Sequence, residues 1–365
     1  MNEWFYYCTN LTTFNRKNFD ERFITNMFRT YYYCSNFTDS PACGPNVTGM
    51  LETYYYCTNL RGAPVCGNNV TDMHRTYYYC TNLKGTPVCG NKVTDMYATY
   101  MSCYNLTGSP VCGPNVTSMD HTYWWCYNLT GSPVCGANVV NMYGTYLDCV
   151  NLTGSPVCGN KVTNMGDTYN GCSNITGAPV CGPNVINMHG TYRYCSNLTG
   201  LPVCGPNVTT MHDTYRYCYN LTGSPVCGPN VINMANAYYS CFNLTGPAIC
   251  GPNVTNMRGA YSSCRNISGN AYIYSSNVTN VYQCLFGRNA ARRLNIYVPK
   301  DSVTNTTVHY NTGSTSLVYN AITWTDAGSY QYNTYYNIYI YPVENVAAAA
   351  IANGDEEANA NAGIV

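Results

Sequence analysis

The sequence predicts an α/β repeat solenoid: a stack of 23-residue strand, turn and short-helix coils, followed by a small β-rich domain. Three observations carry that expectation. Cysteines recur every 23 residues from Cys34 to Cys264, and a second series from Cys43 to Cys250 keeps the same period nine residues behind. Ten unbroken copies therefore occupy residues 34 to 263. Hydrophobic residues make up 45% of the chain, so each copy has an apolar side to bury against its neighbours. A fixed period of this kind marks coils that cannot bury that side alone.

Within one copy, residues 103 to 125, the elements follow in order. Met119, Tyr123, Cys126 and Leu129 step by four, three and three residues, which is the spacing of one helix face. The segment from Leu106 to Cys112 is rich in turn formers and reads as a short strand or extended piece. Gly113, Pro114 and Asn115 supply the turn, because Pro fixes φ, Gly is permissive and Asn bonds its own backbone.

The ends depart from the pattern. Residues 1 to 33 form one irregular copy, three residues longer than the rest, suited to an N-terminal capping coil. The repeat region spans residues 34 to 286, its last copy slipping by one residue before Asn277. Leu294 to Pro299 and Asn337 to Tyr341 alternate as strands do, with Leu317 to Trp324 between them, so residues 287 to 346 read as a small β-rich C-terminal domain. The stretch 347 to 365, made of Ala, Asn and Gly with three acids, reads as a mobile tail.

Composition excludes several function classes. Seventeen basic and seventeen acidic residues cancel, which leaves no electrostatic case for nucleic acid. No apolar run reaches the length of a membrane span. The 23 cysteines fit a ladder of buried small hydrophobes better than zinc, since their spacings are uniform and no Cys-x-x-Cys occurs. Asn in the recurrent Asn-Leu-Thr and Asn-Val-Thr triplets holds a framework position, where its side chain can bridge coils without any sugar. No catalytic residue, metal ligand or cofactor is expected. The five histidines, among them His309, lie apart from any nucleophile motif, and Asp301 and Asp326 have no partner motif.

Comparing the copies separates framework from decoration. The positions just after Met and the two before Cys vary, and on a helix they would lie opposite the buried stripe, facing solvent. The residues singled out there as a binding surface are Tyr78, Tyr79, His121, Trp124, Trp125, Arg193, Tyr194, Arg216 and Tyr217. Exposed Tyr, Trp and Arg carry interface energy, and aromatic rings stack on sugars.

Tyr77 to Leu83 and Tyr123 to Leu129, each with Cys at its centre, resemble the helical Phe-x-x-Cys-x-x-Leu element of BspA-like, Treponema-type leucine-rich repeats. The resemblance covers about residues 1 to 286. One departure is that the strand position usually held by Ile or Leu is Ser109 or Ala178 here. It implies a leucine-rich-repeat-like stack in a non-enzymatic binding or structural protein. Such repeats occur in bacterial surface adhesins, and similar chains occur in tailed bacteriophages of gut bacteria. Residues 1 to 8 lack the basic and apolar segments of a secretory signal, which favours a virion-associated fibre or decoration protein made in the host cytoplasm. Its partners would be a bacterial surface glycan or protein, other virion proteins and further copies of itself, with Arg288, Arg292 and Arg293 at the junction to the last domain. The alternatives are a secreted adhesin at the bacterial surface and a self-assembling filament without ligand.

Overall fold

A computed structural model describes residues 1–15, 20–285, 294–304 and 338–364. Contacts divide the chain into two compact units, Met1–Gly182 and Pro183–Val365. In both, the 23-residue period is structural: equivalent residues of successive copies pair in parallel. The first unit carries bridges from Asn26–Gly49 to Asn141–Asn164, the second from Asn187–Thr210 to Asn256–Asn280.

The expected short helix is absent from every described copy, and a run of turns stands in its place. The amides of the run alternate between two kinds of partner. Tyr100 and Ser102 donate to Thr122 and Trp124 of the next copy at 2.9 and 2.7 Å, while Thr99 and Cys103 close three-residue turns onto Met96 and Tyr100. Every second N–H is thus committed to a neighbour, and no i to i−4 ladder can form. This zigzag needs positive φ at two places per copy, such as 54° at His121 and 63° at Trp125. Non-glycine residues there cost about 1–3 kcal/mol each, which the packing between copies must offset.

What the run buries is uniform. In the first unit Phe5 stacks on Tyr31, and Tyr31, Tyr54, Tyr77, Tyr100, Tyr123, Tyr146 and Tyr169 follow with ring centroids 5.2–5.7 Å apart. From Tyr54 onward each hydroxyl crosses the interior of its own copy: Tyr123 Oη donates to Val111 O at 2.8 Å and accepts from Val111 N–H at 3.0 Å. The turn run and the Pro-Val-Cys segment are tied together by that pair of bonds. Beside it the first cysteine series is buried as free thiols, Cys126 Sγ donating to Tyr100 O, 26 residues earlier, at 3.1 Å. The second series is half-buried from Cys43 to Cys204. The framework asparagines also link copies, as Asn82 Nδ2 does to Thr58 O at 2.9 Å.

The expected strand is also missing from the regular copies as far as residue 240, and a proline explains it. Pro64, Pro87, Pro110 and Pro133 occupy one column of the first unit and bring no N–H to a ladder. In the second unit Pro225 gives way at the matching places to Ala248, Ala271 and Ile296, and there a ladder begins. Strands β1 (Ala248–Cys250), β2 (Asn270–Ile273), β3 (Leu294–Pro299) and β4 (Ile338–Val343) form one parallel sheet in sequence order. Ala248 pairs with Ala271, Ala271 with Ile296, and Ile296 with Ile340.

Two expectations about the C-terminus are corrected here. The strands at Leu294 and Ile338 continue the sheet begun by the last repeats instead of founding a separate β-rich domain. Leu317 to Trp324, the Arg288, Arg292 and Arg293 trio, His309 and Asp326 lie outside the described residues. The stretch read as a mobile tail forms helices α1 (Val346–Ala352) and α2 (Glu357–Asn361). Alanine favours helix, and Asn345 Oδ1 caps α1 by accepting from Ala347 and Ala348 N–H. The helices are tied to the repeats through Asp355, which accepts from Asn270 and Tyr272, and through Asn359, which accepts from Tyr274. Asn361 O accepts Cys227 N–H at 2.7 Å, and both Cys227 and Cys250 are fully buried.

Candidate functional site

The two variable positions before Cys lie on the outer side of the turn run. With copies stacked at about the spacing of paired strands, equal residues in one column become ladders. In the first unit one ladder runs Tyr6, Tyr32, Tyr55, Tyr78 with centroids 4.7–5.0 Å apart, and beside it Tyr7, Tyr33, Tyr56, Tyr79 lie 4.4–4.8 Å apart. Both end where the next copy places Met101 and Ser102, so Tyr78 and Tyr79 are the last rungs. Next to the rings the column two after Met alternates in charge. Glu52 is buried between Arg29 at 2.7 Å and Arg75 at 3.5 Å, and Arg29 reaches Glu3 at 3.8 Å.

One copy further on, the pattern breaks. Trp124 and Trp125 tilt against each other at 4.6 Å, and His121 packs on Trp124 at 4.9 Å and edge-on to Tyr143 at 5.1 Å. His121 Nδ1 meets the Asp120 carboxylate, whose other oxygen accepts from Asn141 Nδ2 at 3.1 Å. Trp125 Nε1 donates to Asp148 Oδ2 at 3.1 Å. Burial holds the Asp148 carboxyl above its ordinary range, although that indole bond pulls the other way. Trp124 Nε1 is different: it is buried and has no hydrogen-bond partner, whereas Ser102 Oγ, also buried, pairs with the Tyr104 hydroxyl. An unmatched buried donor costs about 1–3 kcal/mol.

In the second unit the same columns hold a charged cluster. Asp213 is buried among Arg216 at 3.4 Å, His212 at 3.6 Å and Arg193 at 3.7 Å. Arg193 lies over the Tyr194 ring at 4.9 Å, and Arg216 sits 5.0 Å from both Tyr217 and Tyr239. Tyr194 stacks on Tyr217 at 4.8 Å and is 43% exposed. His212 and His189 approach through Nδ1 at 3.0 Å. Burial lowers the His212 pKa, with Asp213 opposing.

The expectation that these side chains stand free in solvent is therefore corrected. Tyr78, Tyr79, His121, Trp124, Trp125, Arg193, Arg216 and Tyr217 are half-buried against the rings and charged groups around them; Tyr194 is exposed. Within the first unit the structure brings His121, Trp124 and Trp125 together, while Tyr78 and Tyr79 close a separate ladder. Within the second it brings Arg193, Tyr194, Arg216 and Tyr217 together around Asp213. Sequence reasoning missed the carboxylates of these columns: Glu52 between Arg29 and Arg75, Asp148 at Trp125, and Asp213 between Arg193 and Arg216. The alternation Glu3, Arg29, Glu52, Arg75 in one column was the signal that could have found the first of them.

Among the described residues no group of three His, Cys, Asp or Glu side chains is placed to hold a metal, and no helix is long and apolar enough to cross a membrane. No family model, curated protein or solved structure matches the chain.

Proposed function

We propose that the chain is a non-enzymatic binding protein built as a solenoid, and that it recognises a glycan of the bacterial surface through the turn-run face centred on Trp124 and Trp125. In this reading it serves as a virion-associated fibre or decoration protein, the role implied by its likeness to BspA-like and phage repeat chains. The observation that carries the recognition claim is the unpartnered indole N–H of Trp124 beside a pair of half-buried indoles tilted against each other. A sugar offers both things such a place lacks: a hydroxyl for the orphan indole N–H and a C–H face for the rings. The Tyr ladders and the Arg–Tyr pairs present the same chemistry in other copies.

The test is binding of the full chain to an array of bacterial surface glycans. Trp124→Ala with Trp125→Ala is expected to weaken the strongest signal at least about tenfold while far-UV circular dichroism stays unchanged. Equal binding by the double variant would remove the site.

A further inference from the structure

A second set of departures from the repeat lies away from the aromatic columns. Three residues after each cysteine of the second series the chain places Asn, except in two copies of the first unit, where it places Lys92 and Lys161. Two residues further on, Thr is replaced in the first unit only at Val140, which is 40% exposed. These three exceptions line one open trough of about 560 Å³, completed by Thr94, Asn115, Thr117 and Asn138.

The lysines keep the bridging task of the asparagines they replace. Lys92 Nζ donates to Asn69 Oδ1 at 2.8 Å and Lys161 Nζ to Asn138 Oδ1 at 2.7 Å. Each adds a charge that bridging does not need, and both contacts are to neutral amides. Arg29, Arg75, Arg193, Arg216 and Lys300 all face carboxylates, whereas neither trough lysine has one within ion-pair distance among the described residues. No acidic side chain lines the trough.

The geometry points to a second binding site, for a linear acidic polysaccharide of the uronate kind laid along the stack from Lys92 to Lys161. The two ammonium groups are three copies apart, about 14 Å at the spacing of paired strands, too far for one compact anion to reach both. A chain with recurring carboxylates reaches both. Between the lysines, amides and hydroxyls suit sugar hydroxyls, and Val140 suits the C–H face of a ring. Nucleic acid fits poorly, since two cations neutralise little phosphate and no aromatic side chain lines the trough for base stacking.

The probe is an oligogalacturonate titrated calorimetrically into the full chain, with a neutral glucan of equal length, a polyphosphate and an oligonucleotide as comparisons. The oligogalacturonate is expected to bind, more weakly as salt rises, and K92Q/K161Q is expected to reduce affinity at least about tenfold. Glutamine can still donate to Asn69 and Asn138, so an unchanged thermal melt should accompany the loss. The Trp124→Ala, Trp125→Ala variant should bind this probe as the unaltered chain does, which separates failure here from failure at the aromatic face. Unchanged affinity in K92Q/K161Q, equal affinity for the glucan, or tighter binding of the polyphosphate or oligonucleotide would overturn the assignment.

Discussion

The Pro-Val-Cys segments around Cys66 to Cys158 and the matching segments at Cys227 and Cys250 share nearly the same residues but not the same structure. In the first group the segments lie open, form no strand and leave their thiols half-buried. In the second both thiols are buried, the C-terminal segment bonds to Cys227 N–H, and at Ala248 the sheet begins. Two changes account for the contrast. Loss of the column proline restores an amide to the ladder, and a C-terminal segment rich in small residues supplies an acceptor, Asn361 O, for Cys227 N–H. Local sequence sets what a segment can donate; its neighbours set whether anything accepts.

The strongest way to break both regions together is alkaline pH. A thiol ordinarily ionises near 9.0, but burial pushes Cys66 up to about 11 and Cys227 up to about 12. Above pH 9 the unfolded chain therefore loses protons that the folded chain keeps, so stability is full below that pH and falls as pH rises toward the folded values. With so many buried thiols and tyrosines shifted the same way, the melting temperature should hold to about pH 9 and then drop on the order of 10 °C or more. A melting curve unchanged at pH 11 would contradict burial of the ladders.

Next in size is Ala271→Pro, which extends the proline column into the sheet. It removes an amide from the central strand β2 and is expected to cost at least about 1–3 kcal/mol. Hydrogen exchange at residues 248 to 250 and 294 to 299 should quicken, with residues 60 to 160 unaffected. Protection that survives the substitution would mean the proline column is not what interrupts the ladder elsewhere.

The reverse change, Pro133→Ala, should do least. Its neighbours Pro110 and Pro156 still lack donors, and the unfolded chain gains freedom worth about 0.4–1 kcal/mol. A denaturant titration should show a loss no larger than that. A larger effect would show that the stacked rings themselves pack better than alanine can.

Part of this is legible in the sequence. The Met, Tyr, Cys and Leu positions were read as inward and are buried in copy after copy. The spacing that identified them also fitted a helix, because a zigzag of turns brings the same four residues inward. Gly144, Gly171, Gly190 and Gly259 within the run were the contrary sign, since glycine weakens helices and tolerates the positive φ found at each of them. The columns of the candidate sites were also visible as variable positions. Their carboxylate partners were not, because Asp148 meets Trp125 and Glu52 meets Arg29 only through a contact one copy away.

By itself the sequence determined the period, the inward residues and the places where decoration departs from the pattern, since each follows from comparing one copy with the next. Tertiary structure alone decided the turn run, the late onset of the sheet and the docking of the C-terminal helices. In each case the deciding bond joins an amide or carboxylate to a group in another copy or in the C-terminal helices, and a reading of one copy at a time does not contain that partner.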